Sequence, residues 1–226
     1  MIYGIQGVSF PRSGQSALQN AINLYFSDHT FGFGYGYVGG ISMGAVDGPT
    51  ITYAKNHDMM PPTYPQLPQL PHIRYLVQYR SPVRSFVSQL KLGNYTPEKL
   101  TESVLETQAN NFIKMWSLLI NKWVININTD VEFHSDIQKP YYYYLHVPYE
   151  ELILNSSEIL TKVIQFMCDE PVDTEKLGIA CDSLTVRKSM ENWFIPPDFI
   201  CEYIEKELTN EMCICNLPTW RSDRSV

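Results

Sequence analysis

No apolar run in this 226-residue chain approaches the roughly 18 residues that a membrane-spanning helix needs. Met1-Ile2-Tyr3 leads straight into strand-like sequence, without the basic and then apolar stretch of a secretory leader. Cysteine is scarce: there are five, at 168, 181, 201, 213 and 215, all in the last third. An odd number confined to one region is no disulfide framework, so a reduced, cytoplasmic protein is expected. Cys213-Ile214-Cys215 has no second Cys/His pair at zinc-like spacing, so no metal is expected. Bases are in the minority, 17 against 24 acids, for a net charge of −7. That argues against nucleic-acid binding over a broad surface and leaves room for a local phosphate site. Charged residues are only 18% and the AVILMFWYC set is 44%. A disordered chain is excluded by those values, and a single domain over 1–226 with a sizeable core is expected.

Residues 3–10 (YGIQGVSF) read as a buried strand, and Ala17, Leu18, Ala21, Ile22 and Tyr25 recur at helical spacing after it. The turn between them is Pro11-Arg12-Ser13-Gly14. Residues 31–48 hold seven of the twelve glycines between aromatics and read as a loop or irregular hairpin. A second strand covers 50–54 and runs into Lys55-Asn56-His57-Asp58; five prolines between 61 and 71 then predict an extended wall. A third strand covers 73–79 and turns through Arg80-Ser81-Pro82 into a helix over 83–92. Thr96-Pro97 reads as an N-cap and first helical residue of a long helix to about Trp123. Leu105, Ala109, Phe112, Trp116, Leu119 and Trp123 give that helix one apolar face, so both tryptophans are expected in the core. A fourth strand over 141–147 ends at Pro148-Tyr149-Glu150, and helices follow near 156–167, 173–182 and 197–208. Strands alternating with helices predict an α/β fold: a central, mostly parallel sheet of four or five strands flanked by helices.

In such sheets ligands sit beyond the carboxyl ends of the strands. Three strands here end in cations: Arg12, then Lys55 with His57, then Arg80. An acidic protein that gathers cations at strand ends points to an anionic ligand. The first turn adds backbone N–H groups and a helix N-terminus, which suit a phosphate. It is not a Walker A loop, because Gln15 stands where that motif has Lys.

FPRSGQSAL resembles the phosphosulfate loop of sulfotransferases that use 3′-phosphoadenosine 5′-phosphosulfate (PAPS). Lys55-Asn56-His57 is similar to the Lys-Thr-His closing their second strand. YLVQYRSPVRSFVSQ resembles their 3′-phosphate segment, with Arg80 and Ser88 eight apart and Pro82 in place. VPYEELILNSSEIL and Arg187-Lys188-Ser189, with Trp193 beyond, resemble their later segments. The likeness runs over about residues 3–208. It implies a P-loop-like sulfotransferase fold, PAPS as donor and adenosine 3′,5′-bisphosphate (PAP) as product. The implied nucleotide contacts are Arg12, Ser13, Gly14, Gln15, Ser16, Ala17, Arg80, Ser88, Tyr149, Arg187 and Lys188. Departures are Ala17 for the family's Trp, Ser16 for its Thr, and Ser189 and Glu191-Asn192 in the last segment.

Sulfuryl transfer, like phosphoryl transfer, is an in-line displacement governed by positioning and charge. Arg12 and Lys55 suit the negative charge growing on the leaving oxygen. His57 suits the base that takes the acceptor's proton near neutral pH. His29, His72, His134 and His146 lack such a context. The acceptor is expected to be a small organic molecule bearing a hydroxyl or amine, walled by residues 31–40 and 58–72. A P-loop-like nucleotide kinase and a non-catalytic nucleotide-binding protein on the same scaffold are the alternatives.

Overall fold

The computed structural model describes residues 5–35, 50–57, 74–93, 95–125, 143–168, 170–185 and 195–219. Strand β1 (Ile5–Ser9) leads into helix α1 (Gln15–Tyr25) and strand β2 (Thr30–Tyr35). Strands β3 (Thr50–Asn56) and β4 (Arg74–Tyr79) follow, then helices α2 (Pro82–Leu92) and α3 (Glu102–Ile120). Strand β5 (Tyr143–Pro148) precedes helices α4 (Tyr149–Leu154), α5 (Ser156–Met167), α6 (Thr174–Thr185), α7 (Asp198–Glu207) and α8 (Thr209–Ile214).

The five strands form one sheet in the order β2-β3-β1-β4-β5, and every pairing is parallel. The α/β class is therefore as the alternation of elements predicts. β1 is central, and all five of its residues are buried. That is the expected state of a parallel strand covered on both faces.

Side chains alternate across the sheet and sort the core into two layers. Val8 and Phe10, with Tyr75, Val77 and Tyr79 of β4, pack against α2, α3, α7 and α8. Ile5, Tyr53, Leu76 and Val147 face the other way, onto α1, α5 and α6. So the helix after β1 covers one face while the helices after β4, its neighbour, cover the other. Diverging connections of this kind open a crevice at the carboxyl ends of two adjacent strands. That crevice is where the candidate residues lie.

Two sequence expectations need correction. Residues Thr30–Tyr35 lie not in a loop or hairpin but in β2, paired in register with Thr50–Lys55 of β3. TFGFGY alternates with a period of two, so its glycines take every second position of an edge strand, where pairing on one side suffices. The long helix does not start at Thr96. Pro97–Lys99 form a single 3-10 turn, and Thr101 is the true cap, its hydroxyl accepting from the Val104 N–H at 3.4 Å. The helix ends in a π-helical turn over Asn121–Ile125. Trp116 and Trp123 are both fully buried, as the apolar stripe predicts. Helices α4 and α8 have no counterpart among the expected elements.

All five cysteines are free. Among the described residues, no helix is long and apolar enough to cross a membrane.

Phe112 joins β1 to α2 through α3. Its ring meets Phe10 edge-on at 5.1 Å and Phe86 at 5.5 Å, and all three are buried. Phe112→Ala is expected to lower unfolding stability by about 3–5 kcal/mol, read from urea titrations. A loss below about 1 kcal/mol would mean the two helices are not held through this ring.

Candidate active site

The order β3-β1-β4 places Lys55 and His57, Arg12, and Arg80 at the ends of three adjacent strands. Cations far apart in sequence thus meet at one edge of the sheet. Their proximity has an electrostatic cost. Burial pushes the Lys55 ammonium below its ordinary pKa, and repulsion by Arg12 adds to the shift. An anion at this edge would relieve both effects.

The turn from β1 to α1 needs left-handed backbone twice. Arg12 has φ +68 and Gly14 has φ +81. Gly14 is also pinned from outside: a Cβ there would lie 2.0 Å from Cδ2 of Tyr149. The ring of Tyr149 therefore lies on the loop at the point where only glycine fits. The Ser13 N–H returns to the Phe10 carbonyl at 3.2 Å, and the Gly14 carbonyl accepts from Ala17 and Leu18. The first turn of α1 leaves N–H groups without intrahelical partners, as every helix N-terminus does. The Ser13 hydroxyl is fully buried with no partner among the described residues. A closely built loop with a buried, unbonded hydroxyl fits a phosphate.

Tyr149 has a second contact. The Arg80 guanidinium stacks on its ring, 4.5 Å from the centroid. Arg80 is buried, and its Nε is 3.8 Å from Oε1 of Glu150. The same carboxylate oxygen accepts from the N–H of Ser81, the N-cap of α2, at 3.0 Å. Ser88, one helical face further along α2, accepts a 2.9 Å hydrogen bond from Arg12 Nε. The turn after β1 and the expected 3′-phosphate segment are thus joined directly by Arg12 and Ser88. Ser16 is exposed on the first turn of α1, whereas Ala17 is buried in the core beneath it. Ala17 offers no face to a nucleotide base.

His57 is held from below. Its Nδ1 lies 2.9 Å from the Ser9 carbonyl oxygen and 3.2 Å from the Ser9 hydroxyl. A carbonyl can only accept, so Nδ1 carries the proton and Nε2 keeps its lone pair. Burial lowers the His57 pKa; the bond to Ser9 opposes this and the charge on Lys55 reinforces it. Near neutral pH the ring is therefore an uncharged base. His29 bonds its neighbour Asp28, and His146 bonds the Trp123 carbonyl, so both are structural. His72 and His134 lie outside the described residues, as do Arg187, Lys188, residues 36–40 and residues 58–72.

Sequence reasoning missed Ser9, Tyr53 and Glu150, and it missed Gln78. Gln78 is paired in register with Ser9 and buried, with neither amide atom bonded among the described residues. A polar residue buried within a strand is the available signal for Ser9 and Gln78, and Gln6 of β1 carries the same signal. Among the described residues no cluster of His, Cys, Asp or Glu could hold a metal ion. A groove between α2 and α3, with Phe86, Gln89, Leu90 and Met115 in its wall, is lined by none of the candidate residues.

No protein-family model matches the chain, and no curated protein matches it. Among solved structures the architecture is that of a sulfotransferase fold. The chain is similar to the crystal structure of mouse sulfotransferase SULT7A1 complexed with PAP, with a TM-score of 0.56 at 17% identity, covering 95% of this chain and 87% of that one. At that identity the likeness establishes the fold.

Gly14→Ala is expected to cost about 1–3 kcal/mol of stability, from the left-handed backbone and the displaced Tyr149 ring together. In a Tyr149→Ala background only the backbone part should remain. Urea unfolding of the four proteins checks this. Equal costs in both backgrounds would show that the ring does not occupy the place of a Gly14 side chain.

Proposed function

We propose that the chain is an enzyme that transfers a sulfuryl group from PAPS to the hydroxyl or amine of a small organic acceptor, in the cytoplasm. The observation that carries this reading is the uncharged His57, its Nε2 lone pair free of the Ser9 bonds, beside the cationic ends of β3, β1 and β4. A base and an anion site are then adjacent, which in-line transfer to a hydroxyl requires. The fold shared with a PAP-bound sulfotransferase supports it.

Bound, the donor would supply an activated sulfuryl group on a phosphate leaving group. The residues present fit its phosphates. In this reading Ser13, Gly14, Gln15 and Ser16 cradle the 5′-side through backbone N–H groups and the Ser13 hydroxyl. Arg12 and Lys55 face the oxygen on which charge grows and stabilise it most in the transition state. Arg80 and Ser88 hold the 3′-phosphate, with Arg187 and Lys188 as further contacts. His57 Nε2 takes the proton from the acceptor. The base end of the nucleotide is less well matched, because Ala17 is buried and Tyr149 is the one aromatic at this edge with a described ring contact to the loop. A kinase is disfavoured by Gln15. Its side chain is buried and bonded inward to Ser9, whereas a Walker lysine must reach outward to the phosphates.

PAP should raise the melting temperature by binding the native state, and ATP, lacking a 3′-phosphate, should raise it far less. Equal stabilisation by both nucleotides would favour the kinase reading. In a transfer assay with labelled PAPS and a panel of acceptors, His57→Ala should lower kcat by about 10²–10⁴ while PAP affinity stays close to wild type. The pH profile of kcat/KM gives a second reading of the same residue. Protonation removes the base, so the rate should fall as pH drops. The midpoint should lie below the ordinary histidine value of about 6.5, because burial and Lys55 oppose the charged ring. A rate indifferent to both the substitution and pH would remove His57 from the chemistry.

A further inference from the structure

A buried polar network lies directly beneath His57, and its members come from three elements. Ser9 ends β1, Tyr53 lies on β3 two positions before Lys55, and Gln15 opens α1. The Ser9 hydroxyl donates to Gln15 Oε1 at 2.6 Å, a length typical of an O–H···O bond. The Tyr53 hydroxyl lies near the same Gln15 side chain, whose Nε2 is buried without a hydrogen-bond partner among the described residues, and burial pushes the phenol up to about 12, so it stays a neutral hydroxyl. The strand makes room for it at Gly7, where a Cβ would lie 2.3 Å from the Tyr53 oxygen. Gly7, Ser9, Gln15 and Tyr53 thus form one fitted unit, and its side chains are almost wholly buried.

The direction of the Ser9 hydroxyl is what matters to His57. With its proton committed to Gln15, Ser9 Oγ presents only lone pairs to His57 Nδ1, 3.2 Å away. Both nearby oxygens of Ser9 then act as acceptors for Nδ1–H, and the carbonyl is the nearer at 2.9 Å. Without Gln15 the hydroxyl could rotate and donate to Nδ1. That would stabilise the other tautomer, with the proton on Nε2 and no lone pair for the acceptor's proton. Lys55 on β3 is the charged group that acts on the ring, and Arg12 acts in turn on Lys55. Neither selects between the two neutral tautomers as a directed hydrogen bond does.

We propose that Gln15 and Ser9 are positioning residues: by orienting the Ser9 hydroxyl, the Gln15 amide locks His57 in the Nδ1–H tautomer that can act as a base. This rests on the reading of His57 as the base in sulfuryl transfer. It gives the Gln15 side chain a role separate from the backbone N–H that the loop offers to phosphate.

The test is nitrogen-15 NMR of histidine-labelled protein, with the His57 signals assigned from the His57→Ala spectrum. In the wild type His57 should show the Nδ1–H pattern. Gln15→Leu, close in size but without the acceptor, should shift it toward a mixture, whereas Ser9→Ala, which leaves only the backbone carbonyl beside Nδ1, should keep it and should restore it when combined with Gln15→Leu. Ser9→Thr, which keeps the hydroxyl, should also keep the wild-type pattern. In the transfer assay Gln15→Leu should lower kcat about tenfold, part of the 10²–10⁴ ascribed to the base, with PAP affinity within about twofold of wild type. An Nε2–H pattern in the wild type would overturn the proposal with no variant needed. So would a tautomer unchanged in Gln15→Leu, or a mixture in Gln15→Leu that adding Ser9→Ala does not reverse. If Gln15→Leu does not fold, Gln15→Met is read in the same way. Failure of the wild type to transfer a sulfuryl group would sink the proposed activity, while the NMR patterns would still decide whether Gln15 and Ser9 set the tautomer.

Discussion

The site depends on one close contact, the ring of Tyr149 against the bare backbone of Gly14. A side chain at Gly14 would collide with that ring, so the loop can close on β5 only with glycine there. From this contact the other strand ends are set. The outer part of Tyr149 supports Arg80 from β4. Its neighbour Glu150 approaches Arg80 and accepts the N-cap N–H of α2. Two consecutive residues after β5 therefore fix the loop after β1 and the start of the helix after β4. Arg12, reaching from that loop to Ser88 on α2, closes the circuit. Because each partner comes from a different strand, the geometry exists only when the sheet is complete.

Such an arrangement is held against local electrostatic preference. Lys55 and Arg12 repel each other, Lys55 and Arg80 are buried, and Arg12 sits in left-handed backbone that a side chain disfavours. Ser13 and Gln78 bury polar atoms with no partner among the described residues. Each of these costs stability. They all fall at the carboxyl ends of the strands, although α2 and α3 also bury the Ser85 hydroxyl and the Trp116 indole N–H without a partner among the described residues. Left-handed backbone and like charges gathered at adjacent strand ends are the expected pattern of a site shaped for a ligand rather than for the folded state alone.

Much of this was legible in the chain. The helical spacing of Ala17, Leu18, Ala21, Ile22 and Tyr25 marks α1, and all five are buried as that spacing requires. The cations at 12, 55 and 80 are visible as strand ends; what the chain hides is that these strands are neighbours, since β2 is formed between them in sequence and lies at the edge. β2 itself is obscured because glycine at alternate positions weakens strand propensity, which pairing with β3 overrides. Thr96-Pro97 imitates a helix start, and only the 3-10 turn that follows shows why Thr101 is the cap. The partners of His57 are illegible for a different reason. Ser9 is one small polar residue at the end of a buried strand that also holds Gln6, and nothing local says that its neighbour across the sheet is a histidine 48 positions away.

Gln15 shows how a departure from a motif can be absorbed. A residue in the first turn of a phosphate loop would ordinarily point its side chain toward the ligand. Here the Gln15 side chain is turned under the loop, where Ser9 supplies a partner, Tyr53 lies alongside, and Gly7 supplies the space for the Tyr53 hydroxyl. Gln15 Oε1 satisfies the Ser9 hydroxyl, while Nε2 is buried without a partner among the described residues, so the amide is held at a cost in stability. The backbone amides that the proposed reading assigns to an anion depend on the left-handed turn at Arg12 and Gly14 and not on the identity of the side chain that follows. On that reading, backbone and side chain at one position serve different faces of the same turn, the outer one toward an anion and the inner one toward His57.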